Sequence, residues 1–261
     1  MKHITSRDNP LVKRLRALAE SPRERRDSGQ TVLDGVHLID AALAAGLPLQ
    51  HVVVSEQGMR RSEIVALLDA CEAFPRSLLP DAIFGQLSPV DSPSGVLAII
   101  DTPEAPEGGL SETIVVLDGV QDPGNLGTIL RSSAAAGVRD VLLGAGCAQA
   151  WAPRVLRAGM GGHFRLAIRE RVDIPSVLTG FRGAVLATVP GEASASLYDV
   201  DLRGPVAWLF GAEGAGLSDE VAALATQGVR IPMPGDVDSL NVGAAVAVCL
   251  FEQVRQRGPA S

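Results

Sequence analysis

The sequence predicts an α/β protein in which a small mixed domain precedes a larger one built on a mostly parallel sheet. Three observations predict it. Several runs, among them Thr113 to Leu117 and Val206 to Phe210, are apolar throughout rather than alternating, as strands covered on both faces are. Segments of helical spacing separate them, for example Leu126, Ile129, Leu130 and Ala134. The stretch DTPEAPEGGLSE, residues 101–112, is rich in Pro, Gly and acid, has no periodicity, and divides the chain as a linker.

Taken in order, Asn9 before Pro10 predicts an N-cap with proline in the first turn. Leu11, Val12, Leu15, Leu18 and Ala19 then repeat on one helical face, while Lys13, Arg14 and Arg16 fall off it. A second helix is expected from about Val36 to Ala45, stopped by Gly46, then a strand at His51 to Val54, a helix from Glu63 to Glu72 and a strand at Val96 to Ile100. Beyond the linker, the strand Thr113–Leu117 leads through a Pro123-Gly124 turn to a helix that Asn125 opens as N-cap and Gly137 closes. A strand at Val141 to Leu143, a turn or two of helix from Arg154 to Met160, and strands at Ala184 to Val189 and Val206 to Phe210 follow. The long final helix is expected over Leu240 to Arg257.

The composition narrows the classes. The chain has 261 residues, 46% hydrophobic and 20% charged, which excludes a mostly disordered protein. Aromatic content is 3%, too low for nucleic-acid binding that depends mainly on stacking platforms. Cys71, Cys147 and Cys249 form neither a disulfide framework nor a CxxC pair, and fit core thiols in a reducing cytoplasm. His3, His37, His51 and His163 lack metal-ligand spacing, so no metal is expected. The most apolar run, Val242 to Phe251, has ten residues where a bilayer needs about 20, so no membrane span is expected.

Charge is unevenly placed. Residues 1–26 carry eight basic groups (Lys2, Arg7, Lys13, Arg14, Arg16, Arg23, Arg25, Arg26) against Asp8, Glu20 and Glu24, in a chain of net charge −7. A second cluster comprises Arg154, Arg157, Arg165, Arg169 and Arg171. Such patches suit either contact with a polyanion, because the guanidinium fork matches phosphate oxygens, or solvated helix faces.

Three segments carry chemistry. LDGVQDPGNLGTILRSSAAAG, residues 117–137, places Asn125 at a helix start and Arg131 beside its apolar face. VAWLFGAEGAGLSDE, residues 206–220, runs a buried strand into Gly211, Gly214 and Gly216 around Glu213, with Ser218 available as a helix cap. Glycines after a strand let backbone approach a ligand closely. RIPMPGDVDSLNVGAAVAVCLFE, residues 230–252, breaks regular structure at Pro232 and Pro234 and sets Ser239 and Asn241 at the mouth of an apolar helix. Singly, each is also explained by turns and caps.

In this order, Asn125 with Arg131, Gly211-x-Glu213-Gly214-x-Gly216, and Ile231-Pro232-Met233 with Ser239-Leu240-Asn241-Val242 resemble the SpoU (TrmH-like) class of SPOUT RNA 2′-O-ribose methyltransferases. The likeness covers residues 113–257 and includes RVLRAGMGGHFR, Arg154 to Arg165. ITSRDNPLVKRL, VLDGVHLIDAAL and SPVDSPSGVLAI are similar to the small RNA-binding domain that many members carry. The resemblance implies a substrate-RNA-binding domain over residues 1–100, the linker 101–112, and a SPOUT methyltransferase domain over 113–261 with a trefoil knot. It implies S-adenosyl-L-methionine as cofactor, a homodimer, a cytoplasmic location and a structured RNA substrate, with ribosomal favoured over transfer RNA. By position, Gly211, Glu213, Gly214, Ile231, Met233 and Leu240 are the expected cofactor-binding residues. Asn125, Arg131, Ser239 and Asn241 are the expected catalytic set, and Lys13, Arg14, Arg16, Arg154 and Arg157 the expected RNA contacts. Because arginine keeps its proton in nearly every protein setting, the expected role of Arg131 is to hold a phosphate and stabilise alkoxide charge rather than to act as base. Gly159, where many relatives have Ser, and Gly162 depart from the family pattern.

Three other readings compete. A Rossmann oxidoreductase lacks its third glycine, since Gln149 stands where Gly144-Ala145-Gly146 would require one. A non-catalytic RNA-binding protein of this fold would not need Asn125, Arg131, Glu213 and Asn241 intact, and Ser239-Leu240-Asn241 favours ribose over base methylation.

Overall fold

The apolar runs become strands or inner helix faces in the computed structural model, which describes residues 1–88, 93–106, 108–189, 191, 194–235, 237 and 239–258. Pro89 to Ser92 of the SPVDSPSGVLAI segment, Glu107 of the linker, and Asp236 and Asp238 lie outside the described residues. In chain order the elements are β1 (Lys2–His3), α1 (Pro10–Glu20), α2 (Pro22–Ser28), β2 (Gln30–Asp34), α3 (Val36–Ala44), β3 (Leu49–Ser55), α4 (Ser62–Ala70), β4 (Arg76–Leu79), α5 (Asp81–Phe84) and β5 (Val96–Asp101). There follow β6 (Thr113–Asp118), α6 (Pro123–Ala135), β7 (Asp140–Leu143), α7 (Pro153–Gly159), β8 (Ala167–Glu170), α8 (Ile174–Leu178), β9 (Ala184–Thr188), β10 (Ala195–Ser196), β11 (Val206–Gly211), α9 (Asp219–Ala222), β12 (Gln227–Arg230) and α10 (Val242–Arg257). They form two units, Met1–Pro103 with Trp151–Phe164, and Glu104–Ala150 with Arg165–Ser261.

The first unit is a mixed five-stranded sheet in the order β1-β4-β3-β5-β2. Asn9 caps α1 as expected, its Oδ1 accepting the Leu11 N–H at 2.9 Å. Val12, Leu15 and Leu18 of α1 then pack on Val32, Val53, Leu97 and Ile99 of the sheet. Arg25 is buried, and its Nη1 donates to the carbonyls of Leu18 (2.6 Å) and Ala19 (3.2 Å). It thus satisfies carbonyls that the end of α1 leaves open, so this one of the eight N-terminal cations is structural. β2 lies at the sheet edge and pairs only with β5, yet every residue in it is buried. The segment carrying α7 packs on β2, and the Thr31 hydroxyl donates to the Trp151 carbonyl at 2.6 Å.

The second unit is a seven-stranded sheet, β10-β12-β9-β11-β6-β7-β8, in which every pair is parallel. Alternate residues serve opposite faces. Ile114, Val116, Ala207 and Leu209 meet Ile174 and Leu178 of α8 and Val221 of α9. On the other face Trp208 Nε1 donates to Gln253 Oε1 of α10 at 2.9 Å, and Gln253 Nε2 donates to the Leu202 carbonyl at 3.1 Å. α10 packs closely on α6 at Gly243, where a Cβ would stand 3.1 Å from Asn241 Oδ1 and 3.2 Å from Thr128 Cγ2. No described helix is long and apolar enough to cross a membrane.

Short elements escape sequence reading. β12 holds a single large apolar residue, Val229, in QGVR, and α2 is seven residues, Pro22 followed only by charged residues and serine.

A pH dependence follows from two buried carboxylates of the second unit. The Arg255 guanidinium, then Gln256, hydrogen-bond Glu252 and hold its pKa at about 2, below the ordinary 4.5. Burial pushes Asp140 up, but hydrogen bonds from Arg169 and Ser111 outweigh it and the net direction is down. A carboxyl lowered by folding stabilises the native state above its unfolded pKa and loses that contribution as pH falls towards the folded value. Urea unfolding is therefore expected to show stability falling between about pH 4.5 and about pH 2. Glu252→Gln is expected to make that fall shallower. An unchanged slope in the variant would contradict the assignment.

Candidate active site

Parallel pairing puts the carboxyl ends of all seven strands along one edge of the sheet, where open α/β sheets bind ligands. The loops after β6, β11 and β12 leave from that edge, and these are the three segments singled out in the sequence. They are joined by side-chain amides. Asn125 Nδ2 donates to Glu213 Oε1 at 2.6 Å, and Asn241 Nδ2 donates to Asn125 Oδ1 at 2.8 Å. Asn241 Oδ1 in turn accepts the N–H groups of Gly243 (2.9 Å) and Ala244 (3.3 Å), capping α10. The relay runs unbroken from the first turn of one helix through α6 to the loop after β11.

Asn125 is not the N-cap of α6, which corrects the sequence reading. Asp122 is the cap: its Oδ1 accepts the Asn125 N–H at 2.7 Å, and Pro123 occupies the first turn. With Asp122 as the cap, the Asn125 side chain bridges Glu213 and Asn241. Ser218 differs similarly. It stands ahead of α9, but its hydroxyl makes no cap and instead donates to Asp118 Oδ2 at 2.7 Å, alongside its own N–H at 2.8 Å.

The loop after β11 is closed on itself. Ala212 and Gly216 exchange N–H···O bonds of 3.0 and 2.9 Å. A Cβ on Gly211 would lie 2.0 Å from the Gly216 carbonyl carbon and 2.2 Å from Leu217 N, so only glycine lets these backbones meet. Around Gly214 a Cβ would meet nothing within 4 Å, leaving that backbone open to a ligand. Asp118, paired with Gly211 across the two strand ends, and Asn125 therefore hold this loop at both its base and its acid.

Of the other expected residues, Ile231 and Met233 are half-buried on the irregular stretch after β12, and Ser239 and Leu240 are exposed just before α10. Arg131 is exposed on α6, less than two turns beyond Asn125, and forms no ion pair with any described residue. Backbone amides released from ladders, half-buried apolar side chains and the Glu213 carboxylate suit a nucleoside that carries a cationic sulfur. Among the described residues no group of three or more His, Cys, Asp or Glu could hold a metal.

The expected RNA contacts all belong to the first unit. Lys13 pairs with Asp8 at 3.0 Å on the surface, Arg14 hydrogen-bonds Gln30, and Arg16 reaches Gln86 at 3.5 Å. Arg154 and Arg157 are exposed on α7, which packs on β2. The second arginine cluster is thus divided, since Arg165, Arg169 and Arg171 belong to the other unit. There Arg169 is structural, pairing with Asp140 and donating to the Pro106 carbonyl at 3.0 Å. His163 is fully buried beside Trp151, ring centroids 5.5 Å apart, and faces no solvent.

Sequence reasoning missed Asp118 and Asp122. The signal for Asp122 was present, since an acid before Pro123 repeats the Asn9-Pro10 pattern. For Asp118 it was a lone acid closing an apolar strand.

Residues 112–251 match the SpoU rRNA Methylase family, and residues 9–98 match the MRM3-like substrate binding domain. An uncharacterized tRNA/rRNA methyltransferase of Synechocystis sp. is 36% identical over 266 residues, covering 99% of this chain and 95% of that protein. The crystal structure of an AdoMet-bound rRNA methyltransferase from Sinorhizobium meliloti superposes with a TM-score of 0.84 at 30% identity, covering 100% of this chain and 99% of that one. A crystal structure of an RNA 2′-O ribose methyltransferase gives 0.83 at 34% identity, covering 98% and 99%. This chain belongs to the SpoU rRNA methylase family.

Proposed function

We propose that this family member transfers a methyl group from S-adenosyl-L-methionine to a ribose 2′-hydroxyl of ribosomal RNA. The observation that carries the reading is the amide relay Glu213–Asn125–Asn241, which unites three distant segments at the carboxyl edge of a parallel sheet. Gly211, Glu213, Gly214, Ile231, Met233 and Leu240 would hold the cofactor, which when bound supplies a methyl group already activated as a sulfonium. What remains for the protein is the ribose hydroxyl, a poor nucleophile until its proton is drawn off. Arg131 would grip the neighbouring phosphate and stabilise charge developing on the oxygen, while Asn125, fixed by two partners, orients the groups around it. Ser239, exposed beside Asn241, would contact the nucleotide. Alignment of hydroxyl and methyl can by itself supply about 7 kcal/mol or more of the barrier reduction.

The remaining features of the reading are a trefoil knot in the domain 113–261, an RNA-binding domain over 1–100 joined by residues 101–112, a homodimer and a cytoplasmic location. Exposed Phe251 and Val254 on α10 support the dimer, since large apolar side chains one turn apart suit burial against a second copy. The likeness of residues 9–98 to a substrate binding domain, with surface Lys13, Arg14 and Arg16, supports RNA contact there. Incubating the protein with labelled cofactor and unmodified ribosomal RNA is expected to place label on a ribose at a single nucleotide. Label on transfer RNA would redirect the reading within the same chemistry. Label on a base, or on no RNA, would overturn it.

A further inference from the structure

Asp34 closes β2, and its side chain is 1% exposed. A carboxylate is costly to bury unless hydrogen bonds and an opposite charge compensate it. Its two oxygens accept from the hydroxyls of Ser88, at 3.0 Å, and Ser94. The cation beside it is Arg157 of α7, with Nη1 4.0 Å from Asp34 Oδ2. The pair is lopsided. The Arg157 side chain is 47% exposed, so its guanidinium stands between a buried charge and solvent, and it makes no hydrogen bond to any described residue. Three residues earlier on the same strand, Thr31 holds the Trp151 carbonyl and so fixes the stretch that leads into α7. β2 therefore anchors this helix at one neutral point and one charged point, 120 or more residues apart in sequence.

We infer that Asp34 is a positioning residue for RNA recognition: it orients the Arg157 fork so that its free N–H groups present a preset bidentate site to an RNA phosphate. The inference rests on the proposal that RNA is the substrate. It explains why a charge is buried where a neutral side chain would satisfy the two serines. It also makes α7 part of the binding surface of the first unit. A guanidinium biased towards a fixed charge loses less rotamer entropy on meeting phosphate than one with no such neighbour.

The test uses the full chain, with filter binding to ribosomal RNA transcribed in vitro, without cofactor, across a salt series. Asp34→Asn keeps the size and can still bond both serines. It is expected to weaken binding about 5–10-fold and to reduce the salt slope by up to about 1, as loss of one phosphate contact does. Methyl transfer should show a matching rise in KM for RNA, with kcat and cofactor affinity unchanged. Arg157→Lys, on an exposed position that does not threaten folding, should lose as much, because an ammonium cannot serve carboxylate and phosphate as a fork does. Combining Asp34→Asn with Arg157→Lys should cost no more than either alone. Equal binding by wild type and both variants, or losses that add, would overturn the inference. A wild type that binds this RNA but transfers no methyl would instead overturn the proposed function, leaving the comparison of variants to decide on Asp34.

Discussion

Replacing Arg131 by lysine is expected to lower kcat by about a hundredfold while leaving cofactor affinity unchanged, a loss typical of removing one preorganised donor to developing oxyanion charge. The substitution keeps a positive charge on a long flexible stem. It removes the planar fork, which can hold a phosphate with one edge and still offer an N–H to a second oxygen. The surroundings make this separation clean. Arg131 is exposed on α6 and has no ion-pair partner among the described residues, so its exchange should leave folding untouched. Nor does it belong to the relay through Asn125, Glu213 and Asn241 that shapes the cofactor loop. Single-turnover methyl transfer and calorimetric titration of the cofactor, run on the same preparation, measure the two quantities. A lysine variant with near wild-type kcat would mean that charge alone suffices, and the bidentate role would be abandoned.

Much of this was legible in the chain, for identifiable reasons. The strands β6 and β11 are apolar at every interior position because helices cover both sheet faces, and the shortness of these runs favours strand over helix. The glycines after β11 announced a loop whose backbones touch, and Gly211 against Gly216 is that contact. Local rules failed where a side chain's partner is distant in sequence. Asn125 looks like a cap because caps are local, whereas its partners lie 88 and 116 residues away. Ser218 reads as a cap for the helix it precedes, whereas its hydroxyl donates to Asp118, 100 residues earlier. The same holds for α7, whose helical character is evident and whose docking on β2 is not, because Thr31 and Trp151 are 120 residues apart. Arg25 and Arg169 counted towards surface charge in the sequence, and only tertiary placement shows that carbonyls and Asp140 occupy them. Polar residues whose meaning is tertiary are where a single sequence is least informative.

Gly211→Ala is expected to weaken cofactor binding by more than about a hundredfold, which corresponds to about 2.7 kcal/mol, and to lower thermal stability as well. Backbone dihedrals are not the obstacle, since Gly211 lies at the end of β11 in register with Asp118. Space is the obstacle. The added methyl would fall 2.0 Å from the carbonyl carbon of Gly216, 2.2 Å from Leu217 N and 2.3 Å from the Gly216 oxygen, and all three are backbone atoms. No rotamer change can relieve such a contact, so the chain itself must move, at or beyond the usual cost of overpacking of about 1–3 kcal/mol. Movement there parts the mutual hydrogen bonds of Ala212 and Gly216 and draws Glu213 away from Asn125, so one methyl group disturbs both the cofactor loop and the relay. Gly214→Ala provides the contrast within the same loop. Its Cβ meets nothing within 4 Å, so the variant should melt like the wild type, and any loss of cofactor affinity would then report a ligand packed against that backbone. Differential scanning calorimetry without ligand, followed by cofactor titration, distinguishes the two substitutions. Binding by Gly211→Ala within threefold of wild type would show that the loop can open without consequence, and the closed arrangement would then be incidental to holding the cofactor.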